Sequence, residues 1–109
     1  MKNKKYEGPE RRKSIRVTYP LDKRPVLKVG ENEFEVADIS EMGLRFFNDR
    51  KIEFQHRVCG TVKLLCGESV DVEGMIVRKK RVDIYMNVNI PILTNILMKE
   101  QQQLDHNRD

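Results

Sequence analysis

Between Val82 and Val88 the chain places Val82, Ile84, Met86 and Val88 at every second position. Only an extended strand gathers a period of two onto one face. The same rhythm recurs upstream. Val26, Leu27 and Val29 follow the breaker Pro25, and Phe34, Val36 and then Ile39 alternate with Glu33 and Glu35. Gly43-Leu44-Arg45-Phe46-Phe47 reads as a third strand, Val58 to Cys66 as a fourth, and Val70, Val72, Met75, Ile76 and Val77 as a fifth. Gly30-Glu31-Asn32, Gly67-Glu68 and Lys79-Lys80 supply the turns between them. Six short strands with tight connections predict an all-β domain, a six-stranded antiparallel barrel whose interior takes up the apolar faces. No internal repeat is visible.

After Val88 the period changes. Asn89 reads as an N-cap and Pro91 as a first-turn residue, where a missing N–H does no harm. Ile92, Leu93, Ile96 and Leu97 then recur at helical spacing, and a polar extension carries the C-terminal helix to Leu104. The stripe is expected to lie across the barrel body or mouth; a homodimer through this helix is the lesser reading.

With 109 residues the chain has room for one domain. Charged residues make up 35% and apolar residues 39%. That implies a modest core with no space for a large catalytic cleft. No apolar run reaches the roughly 18 residues of a membrane span, and no signal-peptide pattern follows the basic start, so a cytoplasmic protein is expected. Charge is unevenly placed. Residues 1–28 hold ten Lys and Arg against three acidic residues, a net +7, while the remainder holds 11 against 14, a net −3, giving +4 for the chain. A basic leader on a mildly acidic body is the footprint of an anion-binding protein. The division expected is a flexible, disordered arm over 1–9, a domain over 10–104 and a disordered tail over 105–109.

Chemistry at a metal or a nucleophile is not expected. His56 and His106 are the two histidines, and neither has a partner at zinc-ligand spacing. Cys59 and Cys66, taken as members of one regular strand, would lie about 23 Å apart on opposite faces, beyond disulfide reach. No Gly-rich phosphate loop occurs and no Ser or Cys carries a nucleophile signature. The chain reads as a binding protein and not an enzyme.

Two short patterns remain. Arg12-Lys13-Ser14-Ile15-Arg16 holds two arginines at spacing four, directly after Arg11. Alone it carries little, because ten arginines give about 0.8 such pairs by chance. Asp38-Ile39-Ser40-Glu41-Met42-Gly43 is rarer: Asp or Asn, then Ser two later, then Gly three later arises about 0.02 times by chance at this composition. As a plain strand connection, its Asp38 and Ser40 would bond local backbone and Gly43 would supply a positive φ.

In this order, with these strands between and after them, the two patterns resemble the PilZ domain family, over about Glu10 to Leu104. The resemblance rests on Arg12 and Arg16 as the RxxxR element and on Asp38, Ser40 and Gly43 as the (D/N)xSxxG element. It implies a six-stranded barrel and a bacterial receptor for cyclic di-GMP, with an output of the motility or biofilm kind and an unidentified effector protein as partner. The residue types suit that ligand. Arginine matches guanine O6 and N7 with its fork and stacks on bases. Asp38 would accept from guanine N1–H and N2–H, Ser40 would bond phosphate or base, and Gly43 would let backbone approach the ligand. Arg11 precedes the first arginine, where the family associates the residue with holding one ligand or a stacked pair. A third guanidinium there would favour the intercalated pair. Arg78, on a later strand beside the expected site, is a further candidate contact, with a solvent-facing strand arginine as its plainer reading. Two phosphates would offset the repulsion among Arg11, Arg12 and Arg16 and order the arm across the barrel wall, changing the surface offered to the effector. The alternatives are a small barrel for single-stranded nucleic acid, disfavoured by few stacking aromatics, and a ligand-independent interaction adaptor.

Overall fold

A computed structural model describes residues 15–106. Seven strands and one helix follow in chain order: β1 Arg16–Thr18, β2 Val26–Val29, β3 Asn32–Ser40, β4 Gly43–Phe47, β5 Arg57–Lys63, β6 Ser69–Lys80, β7 Asp83–Val88 and α1 Thr94–His106. All neighbours are antiparallel. The closure depends on the nine-residue β3. Its first half pairs with β2, Val26 opposite Glu35 and Val29 opposite Asn32, and its second half pairs with β4. From β2 the ladder runs through β5, β6, β7 and β4 and returns to β3, so six strands form a closed barrel. The seventh, β1, pairs with the end of β3, Arg16 opposite Ser40 and Thr18 opposite Asp38.

The alternating apolar residues fill the interior as the sequence requires. Leu27, Val36, Ile39, Leu44, Phe46, Val62, Ile84, Met86 and Val88 are buried there. Phe34, Phe46 and Phe54 form a three-ring cluster with centroids 5.1–5.6 Å apart, in tilted or edge arrangements that rings prefer. Phe47 is not among them; it lies outward, with the Arg24 guanidinium 4.5 Å from its ring centroid. Gly30 turns β2 into β3 at a φ of 60°, a backbone state that costs glycine nothing.

Four local expectations change. The strand predicted from Val58 to Cys66 ends at Lys63, because Leu64 N donates to Glu68 O and Gly67 N to Leu64 O, closing a turn. Cys59 and Cys66 therefore do not share one strand; both are free thiols. The turn expected at Lys79-Lys80 falls at Arg81-Val82, with Arg81 at a φ of 57° and Val82 38% exposed, outside the apolar face. The helix starts at Thr94 and not near Asn89. Asn89 N donates to Glu73 O and Ile92 N to Glu41 O, so this stretch stays tied to strands, while the Leu93 carbonyl accepts from Leu97 N and opens the helix. Leu93 itself leaves the stripe and is 61% exposed.

Leu97, Glu100 and Leu104 make the buried face of α1, spaced as one side of a helix. Glu100 has no solvent exposure, and its carboxylate takes three donors. Tyr19 Oη donates to Oε2 at 2.6 Å, Leu65 N to Oε2 at 2.9 Å and Cys66 N to Oε1 at 2.9 Å. A side chain from the helix thereby ties the residue after β1 to the β5–β6 turn. Burial, then the hydrogen bond to Glu100, raises the Tyr19 phenol far above its ordinary pKa of 10.0. A raised acid of this kind contributes stability below its unfolded pKa and loses it as pH rises, since the unfolded chain releases a proton that the folded chain keeps. The urea midpoint is therefore expected to fall above about pH 10, and Tyr19→Phe to remove that part of the slope while lowering stability at pH 8. Equal alkaline slopes in the two proteins would refute the account.

Candidate functional site

Strict alternation along β3 would send Asp38 inward with Phe34 and Val36. It does not, because the register shifts: Val36 faces Phe46, whereas Asp38 faces Arg45 and Ile39 faces Leu44. Ala37 is the extra residue of a bulge, and every side chain after it changes face. Asp38 thereby leaves the barrel interior for its outer wall. A second shift does the same on β6, where Ile76 faces Met86 but Arg78 faces Tyr85, leaving Val77 as the extra residue. The two bulges bring their following residues into one cross-strand row. Thr18 of β1, Asp38 of β3, Arg45 of β4, Tyr85 of β7 and Arg78 of β6 stand side by side in register.

Charge in this row is closely paired. Arg16 Nη1 donates to Asp38 Oδ1 at 2.6 Å, and Arg45 Nε donates to Asp38 Oδ2 at 2.9 Å. Arg45 Nη1 also stands 3.6 Å from Asp83 Oδ1. Burial by itself works against the Arg45 charge, but Asp38, then Tyr85 and then Asp83 hold that guanidinium above its ordinary pKa. Cations and rings alternate along the wall. Arg78 lies 5.5 Å from the Tyr85 centroid, Arg45 5.9 Å from those of Tyr85 and Phe47, and Arg24 4.5 Å from that of Phe47.

A recess of about 350 Å³ opens beside the row, lined by Arg16, Asp38, Ser40, Gly43, Arg45 and Tyr85 among others. Four of the seven residues singled out in the sequence therefore line one concavity: Arg16, Asp38, Ser40 and Gly43. Arg78 is exposed and does not line it, but reaches its edge through Tyr85. Arg11 and Arg12 lie outside the described residues. Ser40 Oγ donates to Gly43 O at 3.3 Å, closing the β3–β4 connection on itself. Gly43 needs no positive φ; its missing Cβ would sit 2.7 Å from the Met86 carbonyl oxygen of β7. The space that a Cβ would fill belongs to the neighbouring strand, so the absence of a side chain serves the barrel's own pairing.

Arg45 and Tyr85 were not singled out in the sequence. The signal for Arg45 was its place two residues after Gly43, on the same side of β4, but that face has meaning only once the bulge sends Asp38 there too.

The larger concavities lack this chemistry, since no arginine lines them. A larger recess of about 530 Å³ is lined by Lys28, Asp71 and Glu73, with two carboxylates to one ammonium, which disfavours an anion. Among the described residues no group of three His, Cys, Asp or Glu side chains could hold a metal, and no helix is long and apolar enough to cross a membrane. Burial pushes the Cys66 thiol up, away from a reactive thiolate. What the row can do is bind: it offers guanidiniums to anions and purine edges, a carboxylate to N–H donors, and an aromatic face to a base.

Comparison with known proteins agrees with this architecture. The family model described as PilZ domain matches residues 10–106. No curated protein and no solved structure matches the chain significantly.

Proposed function

The chain belongs to the PilZ domain family, and from that premise we propose that it is a receptor for cyclic di-GMP that works by binding alone. The observation that carries this reading is the Asp38 carboxylate, turned out of the barrel by the Ala37 bulge and held between the Arg16 and Arg45 guanidiniums at the recess. A site for phosphate alone gains nothing from a carboxylate. A site for guanine needs an acceptor for N1–H and N2–H, and cations for the two phosphates that accompany them. Asp38 meets the first demand, and Arg16 meets the second from the first residue of β1, with Arg11 and Arg12 five and four positions before it in the chain.

Arg11, Arg12 and Arg16 bind the phosphates and purine faces, Asp38 reads the guanine edge, and Ser40 and Gly43 shape the floor beneath. Arg11 favours an intercalated ligand pair, and Arg78 adds a cation at the rim. Binding orders the leader against the wall, and the altered surface is what an effector protein meets. No bond of the ligand is made or broken.

Calorimetric titration of the full chain with cyclic di-GMP at physiological salt tests this. Saturable binding is expected, weakened about ten-fold or more in each of Arg12→Ala, Arg16→Ala and Asp38→Ala, a loss in keeping with removing one charged or bidentate contact. Affinity should fall only gently with salt. A steep decline, together with uptake of single-stranded nucleic acid, would favour the nucleic-acid reading instead. A wild-type chain that takes up no cyclic di-GMP ends the proposal.

A further inference from the structure

Asp38 is occupied on both oxygens, and its two partners are held very differently. The Arg16 side chain is 58% exposed and reaches Oδ1 from a three-residue strand. A pair whose cation stands this open to solvent, over a buried carboxylate, exchanges more readily than one enclosed on both sides. The Arg45 side chain is 29% exposed and fastened on every side: by Nε to Asp38 Oδ2, by Nη1 near Asp83, and between the Phe47 and Tyr85 rings. Its backbone pairs with Asp38 on one side and Tyr85 on the other.

From this asymmetry we infer that Arg45 is a positioning residue that sets the base selectivity of the recess, an inference that rests on the reading of the site as a cyclic di-GMP receptor. Arg16 is the partner that yields. When a guanine arrives, Arg16 leaves Oδ1 for a phosphate or a purine face, and Oδ1 turns to the ligand. Arg45 stays on Oδ2 and fixes the plane of the carboxylate. Each carboxylate oxygen has two lone-pair sites, so Oδ2 can accept from Arg45 and from guanine together. Guanine offers N1–H and N2–H side by side, and both bonds are good only when the two oxygens lie in the plane of the base. A carboxylate free to rotate still accepts one donor but no longer measures two. Arg45 therefore acts on discrimination between bases, through Asp38 and without touching the ligand.

The test compares full-length wild type with Arg45→Gln and Arg45→Lys, titrated with cyclic di-GMP and with its inosine analogue, which lacks the N2 amine. Melting temperatures are recorded for each protein. Wild type is expected to prefer the guanine ligand by about ten-fold or more, the discrimination typical of one good paired contact. Arg45→Gln should bring that preference to within about three-fold, and Arg45→Lys, which keeps the charge but loses the Nε–H direction, should also lower it. In Asp38→Ala the preference should already be gone, and adding Arg45→Gln should change it no further. A purely structural Arg45 would lower the melting temperature or weaken both ligands equally while preserving their ratio. An unchanged ratio in Arg45→Lys or Arg45→Gln overturns the inference. If wild type binds neither ligand, the receptor reading itself is overturned and this inference with it.

Discussion

Gly74→Ala is expected to lower the melting temperature by about 12 °C or more, corresponding to roughly 3 kcal/mol or more in a domain of this size. A Cβ on Gly74 would stand 1.7 Å from the Asn87 carbonyl oxygen and 2.8 Å from the Val88 Cα. Overpacking a core commonly costs about 1–3 kcal/mol when side chains can shift. Here the obstacle is backbone. To make room, β7 would have to move away from β6, in a ladder that closes only because each strand keeps its neighbour. Gly43→Ala, whose Cβ would meet the Met86 carbonyl oxygen at 2.7 Å, should do less harm. Thermal denaturation of both variants beside wild type checks the order. A Gly74→Ala protein melting within about 4 °C of wild type would contradict it, since that shift corresponds to no more than about 1 kcal/mol.

Glu100→Ala should cost about 3–5 kcal/mol, because a buried donor left without its acceptor costs about 1–3 kcal/mol and this change strands three at once. Those donors are Tyr19 Oη, Leu65 N and Cys66 N. Adding Tyr19→Phe removes one of the stranded groups. The double variant should therefore lose less stability than the sum of the two single changes, a coupling that denaturant titrations of the four proteins measure. Additive losses would mean that the pair contributes no energy of its own. The consequence reaches the recess as well. Tyr19 follows β1 by one residue, and β1 begins with Arg16, which holds Asp38. A helix released from Tyr19 frees that strand from its far end, so under the proposed function Glu100→Ala should weaken cyclic di-GMP binding although Glu100 does not line the recess.

Period and punctuation carried most of the architecture. Val26, Phe34, Leu44, Val62, Val72 and Ile84 each fall in the strands assigned to them, because an apolar face with period two has only an interior in which to go. The errors cluster where hydrogen bonding, and not hydrophobicity, sets the boundary. Lys63 ends β5 because the turn to Glu68 captures the Leu64 N–H. Asn89 fails to cap a helix because the Ile92 N–H, which a cap at Asn89 would take, is already given to Glu41. Pairings between distant segments leave no local trace in composition.

The recess was legible in part for the same reason. Asp38, Ser40 and Gly43 form a compact pattern, and Arg16 stands close in the chain to its fellow arginines. Arg45 and Tyr85 become visible only when the bulges at Ala37 and Val77 set the parity of β3 and β6. Neither Ala37 nor Val77 looks like an interruption: alanine and valine sit comfortably in regular strands. Gly43 shows the opposite case. The residue was singled out for the space it leaves to a ligand, and the structure gives that space to a carbonyl of β7.

The circular ladder has a final consequence for how copies of this protein meet. Open sheets expose rows of unsatisfied amides that recruit further chains and seed fibrils. Here six strands pair in a ring, and among the described residues the open edges are short: Arg16–Thr18, and the end of β6 beyond Ile76, where Arg78, Lys79 and Lys80 pair with β7 alone. Short edges rich in arginine and lysine make a poor template for intermolecular growth, so concentrated solutions of the folded domain should resist amyloid-like assembly.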